Sequence, residues 1–391
     1  MTGERTYLDY NATAPLRPEA YEAVCAAMDG IGNASSVHKE GRHARALVEN
    51  ARQSVARLVG VEPDCVTFTS GGTEANHLAF RQAAERRATD ILYSAVEHPS
   101  VAEAAKLASA EAGVPATEIP VDAQGRVSLA ALEDLLKRGG DRPFVSVMAA
   151  NNETGVLQPL KEIAELVHER GGFLHTDAIQ IAGKAAFDMK TTGADMATLS
   201  AHKIGGPLGI GAFVLAEDAH VAARQTGGGQ ERGRRSGTEN VSGIAGFGVA
   251  ASLAANMDDA EKMRSLRDRL ETSLKASVPD VEFFGGAVER LPNTSCLSAA
   301  GLKAETLLMQ LDLAGLAVSA GSACSSGKVA RSHVLEAMDV EEQLASGAVR
   351  VSLGWTTTEK DIEKFCTAWI KAAQMSKRTS SAGPRLAAAE G

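Results

Sequence analysis

Between about residues 40 and 216 the chain alternates between two hydrophobic periods. Residues 42–59 carry Ala44, Leu47, Val48, Ala51, Val55, Leu58 and Val59, a stripe at helical spacing. Residues 65–69 read as a strand, and 73–86 as a helix with Thr73 and Glu74 near its start. Strand-like runs follow at 91–96, 116–121, 144–150, 173–177, 195–199 and 210–215, with helical patterns between several of them. This alternation predicts an α/β fold, a mostly parallel sheet with helices on both faces. Ligands of such sheets bind beyond the carboxyl ends of the strands. Polar motifs that directly follow strands are therefore the candidates for chemistry.

Beyond this stretch, residues 238–277 read as mainly helical with a break near Asp258. A smaller α+β pattern follows, with strands near 281–284, 295–299, 315–319 and 348–353 and helices near 304–312, 330–338 and 358–375. The expected division is a large domain over 14–256 and a small domain over 1–13 and 257–375, with a mobile tail over 376–391 rich in Ser, Ala, Lys and Arg. A net charge of −9 and only 4% aromatic residues argue against nucleic-acid binding. No apolar stretch reaches membrane-spanning length and no signal-peptide core follows Met1, so a cytoplasmic protein with no membrane contact is expected. None of the five cysteines forms a C-x-x-C pair, which disfavours a zinc ribbon or thioredoxin motif, and no resident metal is expected.

Lys203 lies in Ser200-Ala201-His202-Lys203, ahead of the glycine-rich run 205–211. An apolar stretch upstream ends in His175-Thr176-Asp177, with Gln180 just beyond. That pattern suits a Schiff-base lysine, with an acid to pair with a pyridinium nitrogen and Gln180 to reach a ring hydroxyl. Ser70-Gly71-Gly72-Thr73-Glu74-Ala75-Asn76 joins a strand to a helix, and its small residues let backbone N–H groups approach a phosphate. A plain helix cap would use the same residues. Asn151-Asn152-Glu153-Thr154-Gly155 follows another apolar strand and is either a site element or a polar turn. His98, before Pro99, either stacks on a cofactor ring and moves protons or simply starts a helix. The loop Arg234-Arg235-Ser236-Gly237-Thr238 binds phosphate or is a solvated charge run. Arg350 interrupts a strand pattern, so its charge needs a partner, either a substrate carboxylate or a structural salt bridge. Cys324, in Gly321-Ser322-Ala323-Cys324-Ser325-Ser326-Gly327-Lys328, sits among small residues, as an accessible thiolate nucleophile would, or as an incidental thiol.

Taken in order, these motifs resemble the NifS/IscS-type cysteine desulfurases of the class-V aminotransferase family, which use pyridoxal phosphate. The resemblance runs from Tyr7-Leu8-Asp9-Tyr10-Asn11-Ala12-Thr13 to about Trp369 and includes Gly32-Asn33-Ala34-Ser35-Ser36-Val37-His38. It implies the fold type I architecture of pyridoxal-phosphate transferases, a large domain with a mostly parallel mixed sheet plus a smaller α+β domain. It implies that Lys203 holds the cofactor as an aldimine, that Asp177 and Gln180 contact the ring, and that His98 stacks over it. Gly72, Thr73, Ser200 and His202 would hold the phosphate, and Thr238 would reach the phosphate of a neighbouring subunit in a homodimer. Asn152 and Arg350 would bind the carboxylate of L-cysteine, with Asn152 also near the cofactor. Cys324 would take the sulfur as a persulfide for delivery to an iron–sulfur scaffold or another acceptor protein, and could transiently ligate a transferred cluster. Selenocysteine lyase or another β-lyase is the alternative on the same scaffold, and an inactive sulfur-transfer scaffold the non-enzyme alternative. The sequence departs from the family pattern at Ala34, after Cys324 and at Trp355, which spares the chemical groups and bears on the choice of acceptor.

Overall fold

The computed structural model describes residues 5–217, 219–320 and 331–381. Cys324 and residues 382–391 lie outside the described residues. The strands in chain order are β1 (Thr6–Tyr7), β2 (Val66–Thr69), β3 (Asp90–Ser94), β4 (Ala116–Ile119), β5 (Pro143–Ser146), β6 (Phe173–Asp177), β7 (Met196–Ser200) and β8 (Gly211–Leu215), followed by β9 (Glu282–Phe283), β10 (Thr294–Ser298), β11 (Leu316–Ala317), β12 (Ser319–Ala320) and β13 (Val349–Ser352).

Seven of them form one sheet in the order β2-β8-β7-β6-β5-β3-β4. β8 pairs antiparallel with both β2 and β7, and every other pairing is parallel. The carboxyl ends of the six strands other than β8 therefore share one edge. Phe144, Val145, Leu174, Ala197 and Phe213 are fully buried, as strands covered on both faces must be. The run expected over 144–150 is a ladder only to Ser146. Val147 and Ala149 still donate to the carbonyls of His175 and Asp177, but the chain then turns at Asn151, whose Oδ1 accepts from the N–H groups of Glu153 and Thr154. That Asx turn ends the strand.

The helix Lys39–Val59 lays Ala44, Val48, Ala51, Val55 and Val59 into the core and ends at Gly60, whose φ of 75° is the left-handed cap conformation. It crosses the helix Val241–Ala254 where a Cβ on Gly248 would lie 2.5 Å from the Ala51 Cα. Only a residue without a side chain lets the two backbones approach so closely.

A second core gathers Leu8, Leu270, Leu274, Leu297, Phe365 and Trp369. It lies on the antiparallel sheet β12-β13-β10-β9 and the helices Asp258–Ser277 and Glu359–Ser381. The last helix extends six residues past the expected stop at 375. The N-terminal segment joins this core: β1 pairs parallel with β11, and Asp9 bridges to Ser352.

His175, in the middle of the sheet, is fully buried and bonds through Nδ1 to Ser146 Oγ at 2.9 Å. Burial pushes its imidazole from 6.5 down to about 3. The unfolded chain therefore binds a proton that the folded chain refuses between those two values. Stability rises with pH across this window and is lost as pH falls through it, at about 1.4 kcal/mol per pH unit from this residue. Urea unfolding of the wild type and His175→Gln at about pH 6 and about pH 5 measures the difference in slope. Equal slopes would overturn the assignment.

Candidate active site

A cavity of about 280 Å³ opens at the carboxyl edge of the large sheet. Its lining includes Gly72, Thr73, His98, Asn152, Asp177, Gln180, Ser200, His202, Lys203 and Arg350, residues drawn from the ends of six separate chain segments. Thr238 is exposed and does not line it, and Cys324 lies outside the described residues.

Lys203 ends a short 3-10 turn, Ala201–Lys203, that begins where β7 stops. Its Nζ donates to the carbonyls of Asn11 at 2.6 Å and Ala12 at 2.8 Å. The glycines that follow have a local reason. Gly205 takes φ 83°, and a Cβ there would meet the Trp355 ring at 2.6 Å. The turn that presents the amine can therefore pack flat against that ring.

Asp177, the last residue of β6, is buried. It accepts from Asn76 Nδ2 and from the Ile179 N–H, both at 3.0 Å. Asn76 is itself fixed, because its Oδ1 accepts from Thr198 at 2.7 Å. No lysine or arginine is ion-paired to Asp177 among the described residues, so its charge is left for a cationic group in the cavity.

The turn after β2 starts the helix Gly72–Glu85. Its first-turn N–H groups have no intrahelical acceptor and carry the positive end of the helix dipole. A Cβ on Gly72 would sit 2.2 Å from Ile179 Cδ1, so the missing side chain keeps this wall open. Thr73 and Ser200 bring hydroxyls to the same cavity. His202 faces it as well, with burial, then the Lys203 and Lys184 cations, pushing its imidazole down to about 4. Neutral at physiological pH, it enters this corner as a hydrogen-bonding ring.

His98 starts a helix and also lines the cavity. It caps the helix Pro99–Ala112 through Nδ1, which accepts from the Ser100 N–H at 3.1 Å, and the Ser100 hydroxyl lies 2.8 Å from the same nitrogen. An Nδ1 committed as acceptor puts the proton of the neutral ring on Nε2. Burial lowers this histidine, with Asp177 opposing and Lys203 and His333 adding to the shift.

Arg350, on β13, makes the structural salt bridge and also lines the cavity. Its Nη2 donates to Asp9 at 2.7 Å and its Nη1 to the Asn152 carbonyl at 3.0 Å, while the buried Nε has no partner among the described residues. The guanidinium is thus anchored at the wall of the cavity. Arg235 pairs with Glu74 at 2.8 Å, so the basic loop is braced against the helix that carries Thr73.

The sequence reading gave no role to Asn11, Asn76, Ser100 or Lys184. Asn11 accepts on its carbonyl from both Lys203 and Gln180, and its Nδ2 donates to the Asn152 carbonyl and Thr294 Oγ1. Asn11 and Asn76 fall inside motifs the sequence marks, and Ser100 stands two residues after His98, so their place at those motifs is the available signal. Four cysteines are described, and Cys65, Cys296 and Cys366 are buried. Burial pushes the Cys296 thiol far up and the Cys366 thiol to about 11, and none of the four lines the cavity.

Known proteins share this architecture. Residues 6–365 match the aminotransferase class-V family model. A cysteine desulfurase of Cereibacter sphaeroides is 44% identical over 367 residues, 93% of this chain and 94% of that one. The cysteine desulfurase IscS of Dictyoglomus turgidum is 40% identical over 362 residues, 91% of each chain. Among solved structures, a NifS-like protein from Rickettsia africae superposes with a TM-score of 0.85 at 36% identity, covering 95% of this chain and all of that one. SspA in complex with cysteine superposes with a TM-score of 0.77 at 26% identity, covering 89% and 98%.

Proposed function

The chain belongs to the class-V aminotransferase family, and we propose that it is a pyridoxal-phosphate-dependent cysteine desulfurase that passes sulfur from L-cysteine to Cys324. The observation that carries the reading is the single cavity joining an amine, an unpaired buried acid and a helix N-terminus. Lys203, Asp177 and the Gly72–Thr73 turn are the three contacts a pyridoxal phosphate needs, at its aldehyde, its ring nitrogen and its phosphate. Gln180 is left for the ring oxygen, and Ser200 and His202 for the phosphate. The open wall at Gly72 and the absence of a cation on Asp177 among the described residues both fit that ligand.

Bound there, the cofactor supplies an electron sink for the bonds at the substrate α-carbon. The chain's own groups do the rest. Arg350 and Asn152 hold the substrate carboxylate. Lys203 Nζ takes the α-proton and later returns a proton. His98 offers an N–H from Nε2 on the cavity side, its other nitrogen being locked by Ser100. The Cys324 thiolate attacks the substrate sulfur: an S–S bond forms, the carbon–sulfur bond breaks, and its electron pair is taken up with a proton. The balance is L-cysteine plus thiol giving L-alanine plus persulfide.

We read the working form as a homodimer in the cytoplasm. Tyr21, Met28, Ile31 and Val37 lie in one stretch and expose 58, 70, 85 and 88% of their surface, an apolar face suited to a second copy. Thr238, exposed and outside its own cavity, would reach the phosphate of that copy. The persulfide would then go to an iron–sulfur scaffold or another sulfur-acceptor protein. No helix among the described residues is long and apolar enough to cross a membrane.

The test is incubation of the cofactor-loaded protein with L-cysteine, followed by mass spectrometry of the Cys324 peptide under non-reducing conditions. The expected result is one added sulfur on that peptide and an equivalent of alanine. An unmodified peptide from protein with cofactor bound would refute the reading.

A further inference from the structure

Lys184 is buried, and nothing in the chemistry above uses it. It lies four residues after Gln180, and its Nζ donates to Gln180 Oε1 at 2.8 Å and to Asn11 Oδ1 at 3.2 Å. Both partners are amide oxygens. No carboxylate is ion-paired to Lys184 among the described residues. A lysine with only neutral oxygens around it is costly to bury, so some compensating role is expected of it.

The role follows from the asymmetry of an amide. Gln180 has one end that only accepts and one that only donates. With Oε1 turned to Lys184, Nε2 is turned the other way. One of its hydrogens goes to the Asn11 carbonyl at 3.0 Å, and the second remains for the cavity that Gln180 lines. The same constraint holds Asn11, whose Oδ1 takes Lys184 and Asn293 Nδ2 while its Nδ2 takes the Asn152 carbonyl and Thr294. Burial lowers Lys184 well below the usual lysine range, and the Lys203 and Arg350 cations push the same way. Even as a neutral amine it has two hydrogens, one for each oxygen it faces.

We propose that Lys184 is a positioning residue that sets the polarity of the Gln180 amide, so that the cavity meets an N–H donor there and not a carbonyl oxygen. The inference rests on the reading that a pyridoxal ring, with its ring oxygen near Gln180, occupies the cavity. A negatively charged ring oxygen is held by the N–H and repelled by the opposite end of the same amide. Without Lys184, only the Asn11 carbonyl still favours the N–H end, and Gln180 presents it less firmly.

The experiment compares wild type, Lys184→Met, Gln180→Ala and the double variant. Each is titrated as apo-protein with pyridoxal phosphate, and the visible band of the loaded protein is followed against pH. Lys184→Met is expected to weaken cofactor binding roughly tenfold and to shift the pH midpoint of the band. In the Gln180→Ala background its effect on both readouts should be much diminished, the remainder being what Lys184 does through Asn11, an outcome that a general packing defect would not give. Lys184→Gln, whose amide can present either end, should give a smaller shift in the same direction, and it covers the case in which the apolar variant does not fold. An unchanged band and affinity in folded Lys184 variants, or an undiminished effect on top of Gln180→Ala, would overturn the proposal. Failure of the wild type to take up pyridoxal phosphate would instead overturn the reading of the cavity on which the proposal stands.

Discussion

Lys203→Ala is expected to lower alanine formation from L-cysteine by roughly a thousandfold or more while the protein stays folded. The argument is one of position and of substitutes. Nζ is held between the Asn11 and Ala12 carbonyls at the mouth of the turn after β7, within the one cavity that also holds Asp177 and His98. Lys203 is the only lysine lining that cavity among the described residues, and Lys184 is committed to Gln180 and Asn11. No neighbouring amine can therefore take over cofactor attachment or proton transfer. Two hydrogen bonds are lost, but the Asn11 carbonyl keeps its bond from Gln180, so the cost to stability is small, roughly 1–2 kcal/mol. Borohydride treatment followed by intact-mass measurement separates the two losses. Wild type should retain the mass of the reduced cofactor and the variant should not. Turnover within tenfold of wild type would remove Lys203 from its assigned role.

Much of this site was legible because its chemistry sits where strands end. Asp177, Ser200 and Lys203 follow apolar runs, and the rule that ligands bind beyond carboxyl ends singles them out without knowledge of pairing. The parallel sheet was legible for the same reason, since strands buried on both faces are written as continuous apolar segments. What the sequence hides is what arrives from far along the chain. Asn11 reaches the cavity because β1 pairs with β11 and Asp9 bridges to Ser352, contacts separated by more than three hundred residues. Neither hydrophobic period nor turn chemistry reports such a contact. Lys184 escaped notice for a different reason. On paper it is an ordinary charge after a small-residue turn, and only its burial against two amide oxygens shows that it is not a surface group. His98 and Arg350 each left two readings open, and the structural one is seen in both: the helix cap fixes the imidazole, and the Asp9 pair anchors the guanidinium, while both side chains still line the cavity. A structural bond to a site residue is here part of how the residue is aimed.

Cys324→Ser is expected to abolish persulfide formation and cut sulfide release by roughly a thousandfold, with the cofactor band unchanged. A serine hydroxyl is not ionised near neutral pH and is a poor nucleophile towards sulfur, whereas a thiolate is a good one. No other thiol can stand in among the described residues. Cys296 is fully buried in the small sheet with its thiol pushed far up, Cys366 is held at about 11 by burial, Cys65 is buried behind β2, and Cys25 lies outside the cavity lining. The proposed cofactor contacts meanwhile come from strand ends and the Gly72–Thr73 turn, all distant from position 324 in the sequence. Spectrum and turnover should therefore separate cleanly, and that separation discriminates between chemistries. An enzyme that only moved amino groups would keep its rate after the change, because Lys203, Asp177 and the anion-binding turn suffice for it. A desulfurase cannot, because the sulfur leaving the substrate needs an acceptor that the cavity walls do not provide. Retained sulfide release by the serine variant would assign the sulfur to solvent or free thiol and remove Cys324 from the reaction.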